Sequence, residues 1–100
     1  MSDWTSSSVI IRHEVGLHAR PSVKLTKLAK GFASAIEIAN APEGPWIDAK
    51  SIVKVMRMKA KQDSTLYMRA LGGDAAAAVA ALKSLVERDF DEDKVDAASG

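Results

Sequence analysis

The sequence predicts an α+β fold, an open-faced β-sandwich with element order β-α-β-β-α-β-α. Three observations carry this. The hydrophobic period switches repeatedly between two and 3.6 residues along the 100-residue chain. Three amphipathic helical segments each need an apolar surface to cover. Four short strand-like segments can supply one, as a mainly antiparallel sheet with all helices on one face and water on the other. A chain of this length has room for one core and not two.

The elements follow in order. Residues 1–6 are polar and read as a short tail. Val9-Ile10-Ile11-Arg12-His13 is β-branched and reads as a strand. Leu25, Leu28, Ala29 and Phe32 fall at i, i+3, i+4 and i+7, one stripe of a helix starting near Ala19 and stopped by Gly31. Ala35–Ala39 alternates as a half-buried strand, and Pro42-Glu43-Gly44-Pro45 is turn chemistry. Trp46–Asp48 allows only a short strand. Lys50 to Met58 reads as a short helix opening at Ser51, with Ile52, Val55 and Met56 on its buried side. Thr65–Leu71 alternates as a strand. Asp74 then N-caps a helix with an apolar stripe of Ala75, Ala78, Val79, Leu82, Leu85 and Val86. Arg12, Glu37 and Arg69 are expected on the wet face of the sheet. Residues 1–88 form the domain, and residues 89–100 read as an acidic, fraying tail.

Composition narrows the function classes. There is no cysteine, which excludes a disulfide scaffold and thiolate chemistry and fits a reducing cytoplasm. No apolar run approaches the ~20 residues that span a bilayer. The first eight residues lack the pattern of a secretory leader. The net charge of +1 conceals an asymmetry: residues 1–88 carry +5 and residues 89–100 carry −4. Lys50, Lys54, Arg57, Lys59 and Lys61 crowd together with no acid among them, which favours an acidic partner or an anion. Nucleic-acid binding is disfavoured, because Tyr67 is the one aromatic residue on a well-marked strand. Paired carboxylates, a cysteine nucleophile and a phosphate-cradling glycine loop are all missing, which argues against an independent hydrolase or transferase.

The chemistry concentrates in Gly16-Leu17-His18-Ala19-Arg20-Pro21-Ser22, between the first strand and the first helix. Gly16 permits a sharp exit from the strand. Pro21 shapes the helix start, where its missing donor costs nothing. His18 then falls at the helix mouth, where unpaired amides and the dipole disfavour protonation and welcome an anion. A neutral imidazole is a nucleophile, and Arg20 adds a guanidinium able to grip phosphoryl oxygens. These parts suit a phosphoryl group carried on histidine. His13 has no such setting and reads as structural or solvated.

This segment resembles the active-site motif of the histidine-containing phosphocarrier family, HPr, of the bacterial phosphoenolpyruvate-dependent phosphotransferase system. Ala49-Lys50-Ser51-Ile52-Val53-Lys54-Val55-Met56 resembles that family's regulatory-serine motif. The spacing of the two motifs and the glycine-acid start of the last helix at Gly73-Asp74 also fit. The resemblance runs from about Val9 to Glu87 and implies the open-faced sandwich. It further implies that His18 accepts a phosphoryl group on Nδ1 from phosphorylated enzyme I and passes it to IIA domains of sugar permeases. Arg20 assists the transfer. Leu17, Ile52, Val53 and Met56 match docking positions, with Lys24, Lys27, Lys54 and Arg57 as a basic rim. Ser51, a good helix cap in its own right, matches a serine that an HPr kinase/phosphorylase modifies in many members. No cofactor or metal is expected on the carrier, and it has no turnover alone. A cytoplasmic monomer is expected, without membrane insertion.

Several residues depart from the family pattern: Lys59, Pro45, the neighbouring Trp46, Ser22 and the acidic tail. They bear on partner choice. Two alternatives stand beside the main reading: a phosphocarrier of a nitrogen-related or regulatory phosphotransferase branch, and a small regulatory binding module.

Overall fold

The computed structural model describes residues 3–12 and 19–90. Seven elements follow the expected order: β1 (Thr5–Ile10), α1 (Ala19–Lys30), β2 (Ala35–Ala39), β3 (Ile47–Asp48), α2 (Ile52–Met58), β4 (Thr65–Leu71) and α3 (Ala75–Glu87). The strands form one sheet in the order β1-β4-β2-β3, and every neighbouring pair is antiparallel. Its register places Ser7 opposite Met68, Glu37 opposite Arg69, and Glu37 also opposite Asp48.

Alternation sorts the two faces. Val9, Ile36, Ile38, Leu66, Met68 and Ala70 point into the core, where they meet Leu25 and Ala29 of α1, Val55 of α2 and the whole expected stripe of α3. Each fully buried Leu, Ile or Val contributes roughly 1.5–3 kcal/mol relative to an exposed position. The outer face carries Ser6, Ser8, Tyr67, Arg69 and Glu37. α3 packs across β1, β4 and β2, and α1 packs against α2 and α3.

The first strand differs from the sequence expectation. It begins at Thr5 rather than Val9, so Thr5 and Ser6 belong to the sheet and not to a tail. It is an edge strand whose inward positions over the first turn of the ladder are Thr5 and Ser7, small polar residues that leave no apolar trace in the sequence. It ends at Ile10. Ile11 is fully buried and still bonds backward, donating to the Ser64 carbonyl at 3.0 Å and accepting from the Asp63 amide at 2.6 Å. His13 lies outside the described residues.

The end of the domain also lies further on than residue 88. Asp89 and Phe90 adopt left-handed backbone conformations with φ of 57° and 61°, and the Phe90 amide donates to the Leu85 carbonyl at 2.8 Å. That turn folds Phe90 back into the core, where it is buried. Residues 91–100 lie outside the described residues.

Gly72 is required by a close approach. Its φ is +148°, and a Cβ there would come within 2.9 Å of the Ser34 Cα. The two loops at that end of the sheet therefore pack backbone to backbone.

Candidate functional site

The motif expected to carry the chemistry straddles the start of α1. Gly16, Leu17 and His18 lie outside the described residues; Ala19, next in the chain after His18, is the first residue of α1. The first turn behaves as the sequence requires. Pro21 and Ser22 are buried and seat the helix start against the body of the protein. Arg20 is exposed. α1 contains no acidic residue, so the positive end of its dipole and the Arg20 guanidinium act in the same sense. An anion arriving there meets the positive end of the helix dipole and a charge able to make more than one hydrogen bond.

α2 supplies the second motif. Ser51 is its N-cap, with φ −103° and ψ 109°, and its Oγ accepts from the Lys54 amide at 3.4 Å. The Lys50 ammonium is engaged elsewhere, donating to the Phe32 carbonyl at 2.7 Å. Lys54 and Arg57 are exposed and line a groove of about 600 Å³ beside the β3 edge, together with Trp46, Asn40 and Met58.

The apolar residues of α2 divide differently from the expected stripe. Val55 alone is fully buried, Ile52 is half-buried, and Met56 is 42% exposed. The core lies beneath Val55 and Met58, three residues apart, and Met56 falls 100° round the helix from Val55. Val53 is 55% exposed. On α1, the partner helix in packing, Val23 is 53% exposed. The sequence reading did not single out Val23. Its signal was there: an apolar residue off the Leu25-Leu28-Ala29-Phe32 stripe has no core to enter.

Lys24 does not stand free at the rim. Its ammonium donates to the Phe90 carbonyl at 2.7 Å and ties α1 to the exit of α3. Lys27 is exposed. Among the described residues no group of three or more His, Asp or Glu side chains is placed to hold a metal ion, and no helix is long and apolar enough to cross a membrane.

Residues 5–88 match the family model described as the PTS HPr component phosphorylation site. The chain belongs to the HPr family of phosphotransferase-system phosphocarriers. Its HPr relatives include the phosphocarrier protein HPr of Cupriavidus necator, 40% identical over 82 residues that make up 82% of this chain and 90% of the relative. The phosphocarrier protein NPr of Proteus mirabilis is 35% identical over 85 residues, covering 85% of this chain and 93% of the relative. Among solved structures, the HPr of Thermoanaerobacter tengcongensis superposes with a TM-score of 0.80 at 31% identity, covering 88% of this chain and 97% of that one. The fold is thus the open-faced sandwich of HPr proteins, and the partners of the chain are phosphotransfer components of the phosphotransferase system. Both HPr and NPr names occur among its relatives.

Proposed function

We propose that the chain carries a phosphoryl group on His18, taken from phosphorylated enzyme I and passed to a histidine of a IIA-type domain. The observation that supports this most is the setting of Arg20: exposed, on the first turn of an acid-free helix, two residues after the motif histidine. In the transfer, the lone pair of the imidazole Nδ1 attacks phosphorus while the bond to the donor breaks and its electron pair returns to the donor. No proton need enter the phosphoryl group itself. The reverse event hands the group to the acceptor. Arg20 and the helix amides hold the equatorial oxygens, whose charge persists through a loose transition state, so positioning and charge stabilisation do the catalysis.

Docking uses the exposed apolar side chains Val23, Val53 and Met56, with half-buried Ile52, Leu17 of the motif, and Lys27, Lys54 and Arg57 around them. The cations steer acidic partner surfaces. Ser51 is a second phosphorylation site, for a kinase of the HPr kinase/phosphorylase type. A phosphate on it would meet the α2 amides and Lys54 and would reverse the local charge. The carrier acts as a cytoplasmic monomer.

The NPr relatives favour a second reading, in which the donor and acceptor belong to the nitrogen-related branch. Incubation with phosphoenolpyruvate and either branch's enzyme I, followed by intact mass, tests both. One added phosphoryl group, labile in acid and absent from His18→Ala, is the expected result; the enzyme I that delivers it faster names the branch. No mass gain with either donor would refute the carrier reading.

A further inference from the structure

The groove of about 600 Å³ beside the β3 edge has two unlike walls. α2 forms one, with Lys54 and Arg57, both exposed. β2, the residue that follows it and β3 form the other, with Glu37, Asn40 and Asp48. Trp46 lines the groove as well. Cations and carboxylates thus share one hollow, yet among the described residues the one ion pair is Arg69 with Glu37. Neither Lys54 nor Arg57 closes onto Glu37 or Asp48, so the opposite charges of the two walls stay apart.

The acceptors of the second wall are only partly used. Asp48 Oδ1 accepts the Lys50 amide at 2.9 Å. Glu37 Oε1 takes both bonds from Arg69. Asn40 uses its side-chain nitrogen to reach the Met58 carbonyl at 3.3 Å. Asp48 Oδ2, Glu37 Oε2 and Asn40 Oδ1 make no bond to another described residue. Carboxylate and amide oxygens of this kind accept from hydroxyl groups. Lysine and arginine bind phosphate, the arginine through more than one hydrogen bond. The Arg69 guanidinium covers one face of the Trp46 ring, 4.2 Å from its centroid, and the ring still contributes flat apolar surface to the groove.

We propose that this groove binds a phosphorylated sugar, with the phosphate on Lys54 and Arg57, the hydroxyls on Asp48, Glu37 and Asn40, and the C–H face of the sugar ring against Trp46. Its volume lies within the range of small-molecule sites. The two walls select this occupant. An acidic peptide would bring negative charge against Glu37 and Asp48 as well as towards the cations. An unsubstituted sugar would leave the cations idle, and inorganic phosphate would leave the acceptors idle. An open groove and a small ligand give weak binding, with a Kd on the order of 0.1–1 mM. The site stands on the groove and does not depend on the carrier function.

Glucose 6-phosphate titrated into the full-length, isotope-labelled chain tests this, read by the chemical shifts of backbone amides and indole N–H groups. Saturable shifts are expected at Trp46, Lys54 and Arg57 and at the Asn40 side-chain amide. Glucose and inorganic phosphate should each bind at least about tenfold more weakly, since each engages one wall only. Lys54→Gln combined with Arg57→Gln removes two exposed cations and should cut the affinity at least about tenfold with the melting point nearly unchanged. Asn40→Ala should weaken glucose 6-phosphate about two- to fivefold and leave inorganic phosphate unaffected. No saturable shift by about 10 mM, well above the expected Kd, overturns the site. So do shifts centred away from the groove, or an unchanged affinity in the doubly substituted chain. Inorganic phosphate binding as tightly as glucose 6-phosphate overturns the sugar. Adenosine monophosphate or a hexaglutamate peptide binding the groove more tightly overturns the choice of occupant.

Discussion

Asp74 reaches across forty residues of sequence to hold Ser34: its carboxylate accepts the Ser34 hydroxyl and the Ser34 amide, the latter at 2.9 Å. It also accepts the Ala33 amide at 2.9 Å. Asp74 sits at the N-cap of α3, but its side chain makes no capping bond to that helix. The carboxylate is turned outward to the loop that follows α1, so the start of one helix locks the exit of another. Gly72, pressed against Ser34, makes the close approach possible.

This lock has a pH signature. The hydrogen bond from Ser34, with those from Ala33 and the Ser34 amide, holds the Asp74 carboxyl below its ordinary range. A depressed folded-state value means that the unfolded chain binds the proton first as pH falls. The stabilisation is therefore complete above about pH 4–5, and it drains away as pH drops through the folded-state value. Asp74→Asn presents one amide donor pair to three protein donors and loses the lock. The variant should melt below wild type at neutral pH, and the gap should narrow steadily in melts taken at about pH 5, 4 and 3. A gap constant over that range would show that the carboxylate charge plays no part.

The sequence reveals the elements whose pattern is local and conceals the relationships that are not. β2, β4 and the α3 stripe are fixed by apolar periodicity and occur as expected. The early part of β1 is hidden because an edge strand of Thr and Ser has no apolar alternation. Asp74 stands at a capping position, yet only the fold brings Ser34 within its reach. Met56 was read both as part of the buried stripe and as a docking position, because a seven-residue helix shows too few turns to fix the centre of its buried arc. Phe90 was assigned to a tail because its turn back into the core depends on two left-handed residues that no simple pattern marks. At the candidate site, the Gly16–Ser22 motif and the Ser51 cap were readable in one dimension. Lys24 was legible as a basic residue beside the motif, but its bond to the Phe90 carbonyl, 66 residues away, was not.

The outer face of the sheet holds a stack that the sequence did not suggest. Arg69 and Glu37 are directly opposite on β4 and β2 and pair through two hydrogen bonds of 2.8 and 2.6 Å. The guanidinium lies between the rings of Trp4 and Trp46, at 4.3 and 4.2 Å from their centroids. The expected wet-face residues Glu37 and Arg69 are therefore half-covered. These are the only two tryptophans in the chain. Arg69→Ala should cost about 1–2 kcal/mol, from two cation–π contacts of ~0.5–1 each and a partly exposed ion pair. Tryptophan emission should shift at the same time. Urea titrations of stability with no change in emission would mean that the indoles do not sense the guanidinium.

Ser51 separates its two roles by sign. Ser51→Ala removes the cap and should lower stability by about 0.5–1 kcal/mol, the low end for a cap whose hydrogen bond is long. Ser51→Asp keeps an acceptor at the cap and adds a negative charge where the α2 dipole favours one, so stability should hold or rise. Phosphorylation by enzyme I should nevertheless slow in Ser51→Asp, because the partner face acquires the wrong charge. Equal transfer rates for wild type and Ser51→Asp would leave Ser51 with the structural role alone.

Val53 and Val55 offer a matched pair two residues apart on α2. Val53 is exposed and Val55 is fully buried. Val53→Glu should change stability by no more than about 0.5 kcal/mol, as surface substitutions do. It should still cut the rate of transfer from enzyme I about tenfold, by placing an unpaired charge in an apolar contact. Val55→Ala should do the reverse, costing roughly 1–3 kcal/mol by opening a cavity and leaving the rate per folded molecule nearly unchanged. If Val53→Glu transfers at the wild-type rate, this face of α2 is not where enzyme I docks.

Arg20 is the decisive residue on the described side of the motif. It is exposed on the first turn of α1, so its removal leaves the core intact. Arg20→Ala should therefore keep the wild-type circular dichroism and melting point while phosphoryl transfer slows about 10–100-fold, the loss of one charged donor aimed at phosphoryl oxygens. Arg20→Lys retains the charge without the planar fork and should recover part of the rate. The order wild type, lysine, alanine is expected in single-turnover transfer at saturating enzyme I, where docking no longer limits. An alanine variant that matches wild type under saturation but falls behind at low donor concentration would move Arg20 from the phosphoryl group to the docking surface.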